Sequence, residues 1–396
     1  MSEWKEYQLD EVYDFASGLS KSADQFGFGY GFCSFKDVFK NYFLPEKLSS
    51  LANTSEKERK SCSIKLGDVF LTRTSETQEE LGMSSVALKD YPEATFNGFT
   101  KRLRPKGVIE VNPEYAGYYF RSPKFRANVT SMSSMTTRAS LNNDMLAALS
   151  INLPSPKEQA TIGNTLKSLD NKIDLLHRQN DTLEAMAETL FRQWFVEDTK
   201  EDWAETNLFD SIELIGGGTP KTENAEYWDG NIKWLSCGDI SANHKNFVVR
   251  TEKSITEIGL QNSSAKLLPK FSTVISARGT VGKYCLLSEP MAYSQSNYGI
   301  KPKFEGCFFF TYLLVAYSVN ELQAAAYGSV FDTITTTTFK ELKISLPESL
   351  VIQEFEEIAK PYFKKMFNNQ NQIHTLTTLR DTLLPKLMSG EVRVKM

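Results

Sequence analysis

SPKEQATIGNTLKSLDNKIDLLHRQNDTLEAMAETLFRQWF, residues 155–195, is the stretch on which the reading of the fold turns. Ser155-Pro156-Lys157-Glu158 reads as a capping box with proline at the first helical position. Apolar residues then recur at alternating spacings of three and four: Leu166, Leu169, Ile173, Leu176, Leu183, Leu190 and Trp194, with Asn180 and Ala187 filling the remaining slots. Neither glycine nor proline interrupts the run between Asn164 and Trp194. A helix of about 40 residues spans roughly 60 Å at 1.5 Å per residue. A narrow apolar stripe of that length calls for a partner helix rather than a small core.

The partner lies in the same chain. Ile344-Ser345-Leu346-Pro347 echoes Ile151-Asn152-Leu153-Pro154, and an offset of 193 residues superimposes the two following helices without a gap. Leu176 then falls on Asn369, Asn180 on Ile373, Leu183 on Leu376, Leu190 on Leu383 and Trp194 on Leu387; Met366 extends the second seam toward its start. A polar residue in each seam, Asn180 and Asn369, is a device that fixes register at some cost in stability. The duplication implies two similar halves: a globular segment 1–153 with helix 154–197, and a globular segment 198–346 with helix 347–390. The fold class expected is α+β, with two similar domains and the two long helices packed as an antiparallel coiled coil.

The totals agree with this division. The chain has 396 residues, 41% hydrophobic and 24% charged, enough for more than one sizeable core. There is no long apolar run and no basic–apolar leader pattern at Met1-Ser2-Glu3-Trp4, so a cytoplasmic protein without a membrane segment is expected. Cys33, Cys62, Cys237, Cys285 and Cys307 are scattered, which argues against a disulfide framework or zinc site. With only His177, His244 and His374, histidine chemistry has little to work with, and neither a metal site nor a catalytic centre is expected. Net charge is −4. Lys101, Arg102, Arg104, Lys106, Arg121, Lys124, Arg126 and Arg138 nevertheless cluster in sequence, and a local basic face binds phosphates even on an acidic protein.

Within the first half, Gly27-x-Gly29-x-Gly31 reads as a glycine and aromatic loop, and Asn112-Pro113-Glu114-Tyr115 is near the N-P-P-Y signature of adenine methyltransferases. Both read better as structural turns. No apolar strand precedes the glycines, and Glu114 stands where a methyltransferase keeps an apolar residue. Val69-Phe70-Leu71-Thr72-Arg73 reads as a strand and aligns with Val274-Ile275-Ser276-Ala277-Arg278. Gly216-Gly217-Gly218 reads as a turn with exposed amides. Thr130 to Asn143 and Gly328 to Thr335 read as matching Ser/Thr-rich loops. Both halves thus supply Arg, Lys, Asn, Gln, Ser and Thr in loops, the groups that contact phosphates and base edges.

At these residues the chain resembles the specificity subunits of type I restriction–modification systems. The resemblance rests on GGGTPKTENAEYWDGNIKWLSCGDIS (216–241), VISARGTVGK (274–283), GSVFDTITTTTFKELKISLP (328–347) and LTTLRDTLLPKLMSGEVRV (376–394). The first half matches more loosely, through GDVFLTR, TTRASLN and INLPSPKEQ; it lacks a counterpart of Thr219-Pro220 to Tyr227-Trp228 and the Gly-Thr-x-Gly after Arg73. The resemblance implies two target-recognition domains and no catalytic centre. It also implies double-stranded DNA, two methyltransferase subunits and motor-nuclease subunits as partners, with S-adenosylmethionine, ATP and Mg on those partners. Each domain would then read one half of an asymmetric bipartite site. The long helices would set the half-sites apart, one helical turn of DNA being about 34–36 Å. The residues expected to touch DNA are Arg73, Lys101, Arg102, Arg104, Arg126 and Arg138 in the first half, and Lys221, Arg278, Lys283, Gln295, Asn297 and Lys301 in the second. The competing readings are a self-sufficient DNA adenine methyltransferase and a coiled-coil adaptor that binds only protein.

Overall fold

The computed structural model describes residues 4–75, 80–132, 139–327 and 332–394. Packing divides the chain into two compact units, Met1–Lys172 with Thr377–Met396, and Ile173–Leu376. Each long helix therefore contributes to both units. Among the described residues no helix is long and apolar enough to cross a membrane.

In the first unit, a twisted antiparallel sheet runs in the order Tyr13–Ser17, Thr100–Pro105, Val69–Thr72, Ser84–Val86. A bridge from Phe43 to Val86 extends its edge in parallel. A smaller sheet pairs Phe26–Cys33 with Ser50–Ala52 (antiparallel) and with Thr95–Phe96 (parallel). The second unit repeats this plan. Its larger sheet runs Ile212–Gly216, Asn297–Pro302, Thr273–Ser276, Tyr284–Leu287, Phe247–Val248. Its smaller one pairs Trp228–Leu235 with Lys253–Ile255 (antiparallel) and Ala292–Tyr293 (parallel). Each unit is closed by a strand just before its long helix. Ser150–Leu153 pairs with Lys5–Gln8, and Lys343–Leu346 with Ala204–Asn207.

The glycine-rich segment of the first half is a strand, not a loop. Phe26–Cys33 breaks register between Phe26 and Tyr30, with Gly27 and Gly29 at φ 94° and 92°. The second unit breaks register at the corresponding place, between Trp228 and Ile232, with Asp229 at φ 60°. The bulge is thus shared although the sequences differ. Asn112 is a helix N-cap: its Oδ1 accepts the Tyr115 N–H at 2.9 Å, opening helix Pro113–Tyr119. A second helix, Pro123–Met132, follows. In the second unit one helix, Phe308–Tyr327, occupies this place. The break in the first unit falls at Pro123, which disfavours helical geometry at Ser122.

The first long helix, Pro156–Arg192, begins where Ser155 Oγ accepts the Glu158 N–H at 3.3 Å, and a π-turn, Gln193–Glu197, ends it. The second spans Ser349–Ser389. Within the first unit, Leu166 shares a core with Leu384, Leu387 and Met388, while Leu383 packs at its margin and Leu169 is half-buried. Within the second, Ile173, Leu176 and Ile373 form a cluster with Leu376 against it. Beyond Asn180, Ala187 is buried as expected, but Glu184 and Phe191 of the first helix and Phe195 of the π-turn are buried in place of the expected Leu183, Leu190 and Trp194. Those three pack at the margin of the same core, which also contains Met366. A straight helix drifts off a seven-residue repeat. Here helix Phe308–Tyr327 covers an adjoining stripe, with the Phe310 ring tilted against Phe191 and edge-on to Phe195.

Candidate nucleic-acid interface

In the second unit, several segments converge at one end of the two sheets. Gly217 and Gly218 leave strand Ile212–Gly216 and donate their amides to the carbonyls of Asn297 and Tyr293, at 3.2 and 3.0 Å. These amides are spent inside the fold and are not the open turn expected from the glycine run. A Cβ on Gly217 would lie 2.2 Å from the Ser294 carbonyl oxygen, so only glycine lets the chain cross here. Helix Cys237–Ala242, capped reciprocally by Ser236 and Asp239, brings Cys237 Sγ to 3.2 Å from Asn297 Oδ1 and 3.5 Å from the Arg278 carbonyl. Ser241 Oγ donates to Thr280 Oγ1 at 2.7 Å. The Ile334 amide donates to the Ala277 carbonyl at 3.1 Å. From this hydrogen-bonded platform Arg278, Gly279, Thr280 and Gln295 project into solvent.

The first unit builds the same platform from different side chains. A Cβ on Gly18 would lie 2.1 Å from the Asn97 carbonyl oxygen, as Gly217 faces Ser294. Ser34 and Asp37 cap helix Phe35–Lys40 as Ser236 and Asp239 cap theirs. The Arg73 amide donates to the Phe99 carbonyl at 2.9 Å, and the Leu141 amide donates to the Arg73 carbonyl at 2.8 Å. In the second unit those places belong to Ala277, Ser296 and Ile334. Strand pairing agrees, since Val69 and Thr273 occupy matching ladder positions. Arg73 therefore corresponds to Ala277 and not to Arg278, one residue away from the sequence alignment.

The cations named from sequence have distinct environments. Arg104 forks onto Asp68, with Nε to Oδ1 at 2.7 Å and Nη2 to Oδ2 at 2.5 Å, and Asp68 is wholly buried. That pairing holds the guanidinium above its usual pKa. Arg102 is buried, donating to the Ser63 carbonyl at 2.7 Å with its charge over the Phe96 ring; burial lowers its pKa. Arg126 donates to the Leu81 carbonyl, and burial lowers its pKa too. Arg121 ties the Ser84, Val38, Phe39 and Asn41 carbonyls together, and burial pushes its pKa down to about 10. The basic run from Lys101 onward thus serves largely as internal staples rather than one basic face. Arg138 lies outside the described residues.

Lys101 is buried like Arg102, but it lies beside a second cation, the half-buried Arg73. Lys101 Nζ donates to Ser17 Oγ at 2.9 Å and Asn143 Oδ1 at 2.8 Å. Burial, then the charge of Arg73, lowers its pKa. Arg73 is half-buried, and its Nε has no partner among the described residues. Two cations crowded together with neutral ligands leave a place for an anion. In the second unit, Lys221 is exposed and Lys283 lines a cavity of about 390 Å³ with Glu188, Arg192 and Lys245. Lys301 pairs with Glu213 at 2.8 Å on the sheet. Asn297 is buried, donating to Ser294 Oγ at 2.8 Å. The structure thus brings Arg278, Gln295 and Asn297 together on one platform, and Arg73 with Lys101 on the other.

Phe99, Cys237, Ser241 and Thr280 were missed by sequence reasoning. Phe99 carries the plainest signal in retrospect: it lies two residues before Lys101, in Asn97-Gly98-Phe99, a turn sequence in which an aromatic has no strand or helix face to join. The other three are small polar residues whose proximity depends on long-range pairing.

The sequence profile of the type I restriction modification DNA specificity domain matches residues 1–185 and 200–379. The chain is 24% identical over 367 residues to the specificity subunit of the type I restriction enzyme MjaIX from Methanocaldococcus jannaschii, spanning 87% of this chain and 82% of that one. It is 24% identical over 472 residues to the HindI specificity subunit from Haemophilus influenzae, spanning 99% of this chain and 100% of that one. The crystal structure of the type I restriction–modification S subunit from M. genitalium is similar in fold, with a TM-score of 0.62 at 14% identity, covering 100% of this chain and 97% of that one.

Proposed function

Because this chain belongs to the type I restriction–modification DNA specificity family, whose members recognise DNA rather than catalyse, we propose that its two domains read the two halves of one asymmetric, bipartite duplex site. The observation that carries this reading is the shared scaffold. The two units have the same strand order and the same hydrogen-bonded platform, yet present different residues from it. Where the first offers Gly98-Phe99 and Arg73, the second offers Gln295-Ser296 and Ala277, followed by Arg278. One scaffold with two unlike reading surfaces suits two unlike half-sites. Arginine forks to guanine and glutamine to adenine in the major groove.

The recognition domains are residues 1–153 and 198–346, with helices 154–197 and 347–390 as connectors. Arg73, Lys221, Arg278, Lys283 and Gln295 are the DNA-facing set, with the buried Lys101 behind Arg73. Arg102, Arg104, Arg126 and Asn297 support the surface from within, and Lys301 pairs with Glu213 on the sheet. The chain works in the cytoplasm with two methyltransferase subunits, which carry S-adenosylmethionine, and with motor-nuclease subunits, which carry ATP and Mg.

Methylome sequencing of cells with and without the gene tests this. A bipartite N6-methyladenine motif disappears on deletion. Exchanging residues 198–346 for those of a relative changes one half of the motif only. An unchanged methylome after deletion contradicts the reading.

A further inference from the structure

Phe99 is an apolar side chain displayed rather than stored. It is 61% exposed, at a place where the second unit has Ser296. Its backbone is held from several sides. The Phe99 amide donates to Asn97 Oδ1 at 2.9 Å, and Thr100 Oγ1 donates to the Asn97 carbonyl at 2.9 Å. The Gly98 amide donates to the Leu19 carbonyl at 2.7 Å, and the Phe99 carbonyl accepts the Arg73 amide. Asn97 is itself buried, its side chain donating to the Cys33 carbonyl at 3.1 Å. A Cβ on Gly98 would lie 2.4 Å from Ser20 Oγ, so the loop is seated flush at that position. A backbone held by so many bonds sets in advance where the Phe99 side chain leaves the loop.

Its neighbours say what kind of contact. Arg73 follows strand Val69–Thr72 and is bonded to Phe99 through the backbone. Lys101 stands two residues beyond. Neither makes an ion pair among the described residues, and their charges repel each other. Such a pair suits a phosphate and not an apolar protein surface. An apolar ring beside an anion-seeking pair matches a DNA edge. There the one large apolar feature in the major groove is the thymine C5-methyl group.

We propose that Phe99 is a specificity-determining residue, reading a thymine methyl group in the half-site of the first domain while Arg73, backed by the buried charge of Lys101, holds the adjoining phosphate. This rests on the DNA-reading role proposed above and adds to it one base class at one residue.

The test uses the full chain in complex with its methyltransferase subunits, on duplexes carrying the motif mapped by methylome sequencing. Each thymine of the first half-site is replaced in turn by deoxyuridine, which lacks only the methyl. At one position wild type loses about fourfold in affinity, the worth of one buried methyl. Phe99→Ser binds the thymine duplex about that much more weakly and is indifferent to the replacement. Phe99→Leu retains the preference. Both variants fold as wild type, because the ring is exposed. A first half-site without thymine, or a deoxyuridine penalty that persists unchanged in Phe99→Ser, overturns the assignment while leaving bipartite recognition standing. Absence of any sequence preference in the wild-type complex overturns the parent reading instead.

Discussion

Asn369 donates its side-chain amide to Asn180 Oδ1 at 2.9 Å, with both residues enclosed between the long helices of the second unit. The neighbouring contact, Leu176 with Ile373, is its image: adding 193 to 176 and to 180 gives 369 and 373. The duplication legible in the sequence is thus realised as a local two-fold axis between the helices. Among the described residues, Asn180 Nδ2 and Asn369 Oδ1 have no hydrogen-bond partner, which is the cost of a polar seam.

That cost sets a stability prediction. Asn369→Leu alone strands the buried Asn180 amide and lowers stability by about 1–3 kcal/mol. Replacing both asparagines by leucine restores wild-type stability or exceeds it, because an apolar pair leaves nothing unsatisfied. Urea midpoints of the three variants decide the matter. A double variant weaker than either single one contradicts the argument.

Glu184 gives a pH dependence. It is buried on the first long helix and accepts the Tyr312 hydroxyl at 2.6 Å. Burial raises its pKa to about 7, and the Tyr312 hydrogen bond only partly opposes this. The folded carboxyl holds its proton where the unfolded one, near 4.5, releases it. Stability from this group is complete below about pH 4.5 and declines as pH rises toward 7, by at most about 3 kcal/mol. Glu184→Gln removes that decline. The variant therefore gains on wild type between pH 5 and 8 in paired urea titrations; a constant difference refutes the assignment.

Arg104 and Arg278 separate staple from reader. Arg104→Ala leaves the wholly buried Asp68 unpaired and lowers stability by about 3 kcal/mol. Protein that still folds keeps the wild-type motif. Unfolding curves and methylome motifs together give this result, and an altered motif at wild-type stability reverses the assignment.

Arg278→Ala does the opposite. The side chain is exposed at the tip of a turn, so the unfolding midpoint stays within about 0.5 kcal/mol of wild type. Discrimination at one guanine of the second half-site falls by about 1–3 kcal/mol. Competition binding with half-site variants measures this, and equal weakening at both half-sites argues against it.

The long helices were legible because their information is local. A stripe read at three- and four-residue spacing needs no knowledge of the rest of the chain. Even there, the stripe past Asn180 kept Ala187 but moved from Leu183 and Leu190 to Glu184 and Phe191, since helix Phe308–Tyr327 packs alongside and its arrival is not written in the helix itself. The surface was less legible. Charge marked Arg102, Arg104 and Arg126 as DNA contacts, but the groups that hold them, Ser63, Asp68 and Leu81, lie tens of residues away in sequence. Phe99 was passed over because an aromatic residue reads as core until its loop is seen to point outward. The one-residue slip between Arg73 and Arg278 came from matching letters, whereas hydrogen-bond register counts positions.

The sharing of each helix between units has a consequence for how the protein is made. Leu166 and its neighbours in the first unit are covered by Leu384, Leu387 and Met388. The ribosome supplies those residues only after the whole second domain has emerged. A nascent or prematurely terminated chain keeps an apolar flank open to chaperones and proteases. Synthesis of the second long helix seals it, so chains lacking Leu384, Leu387 and Met388 are the ones exposed to removal.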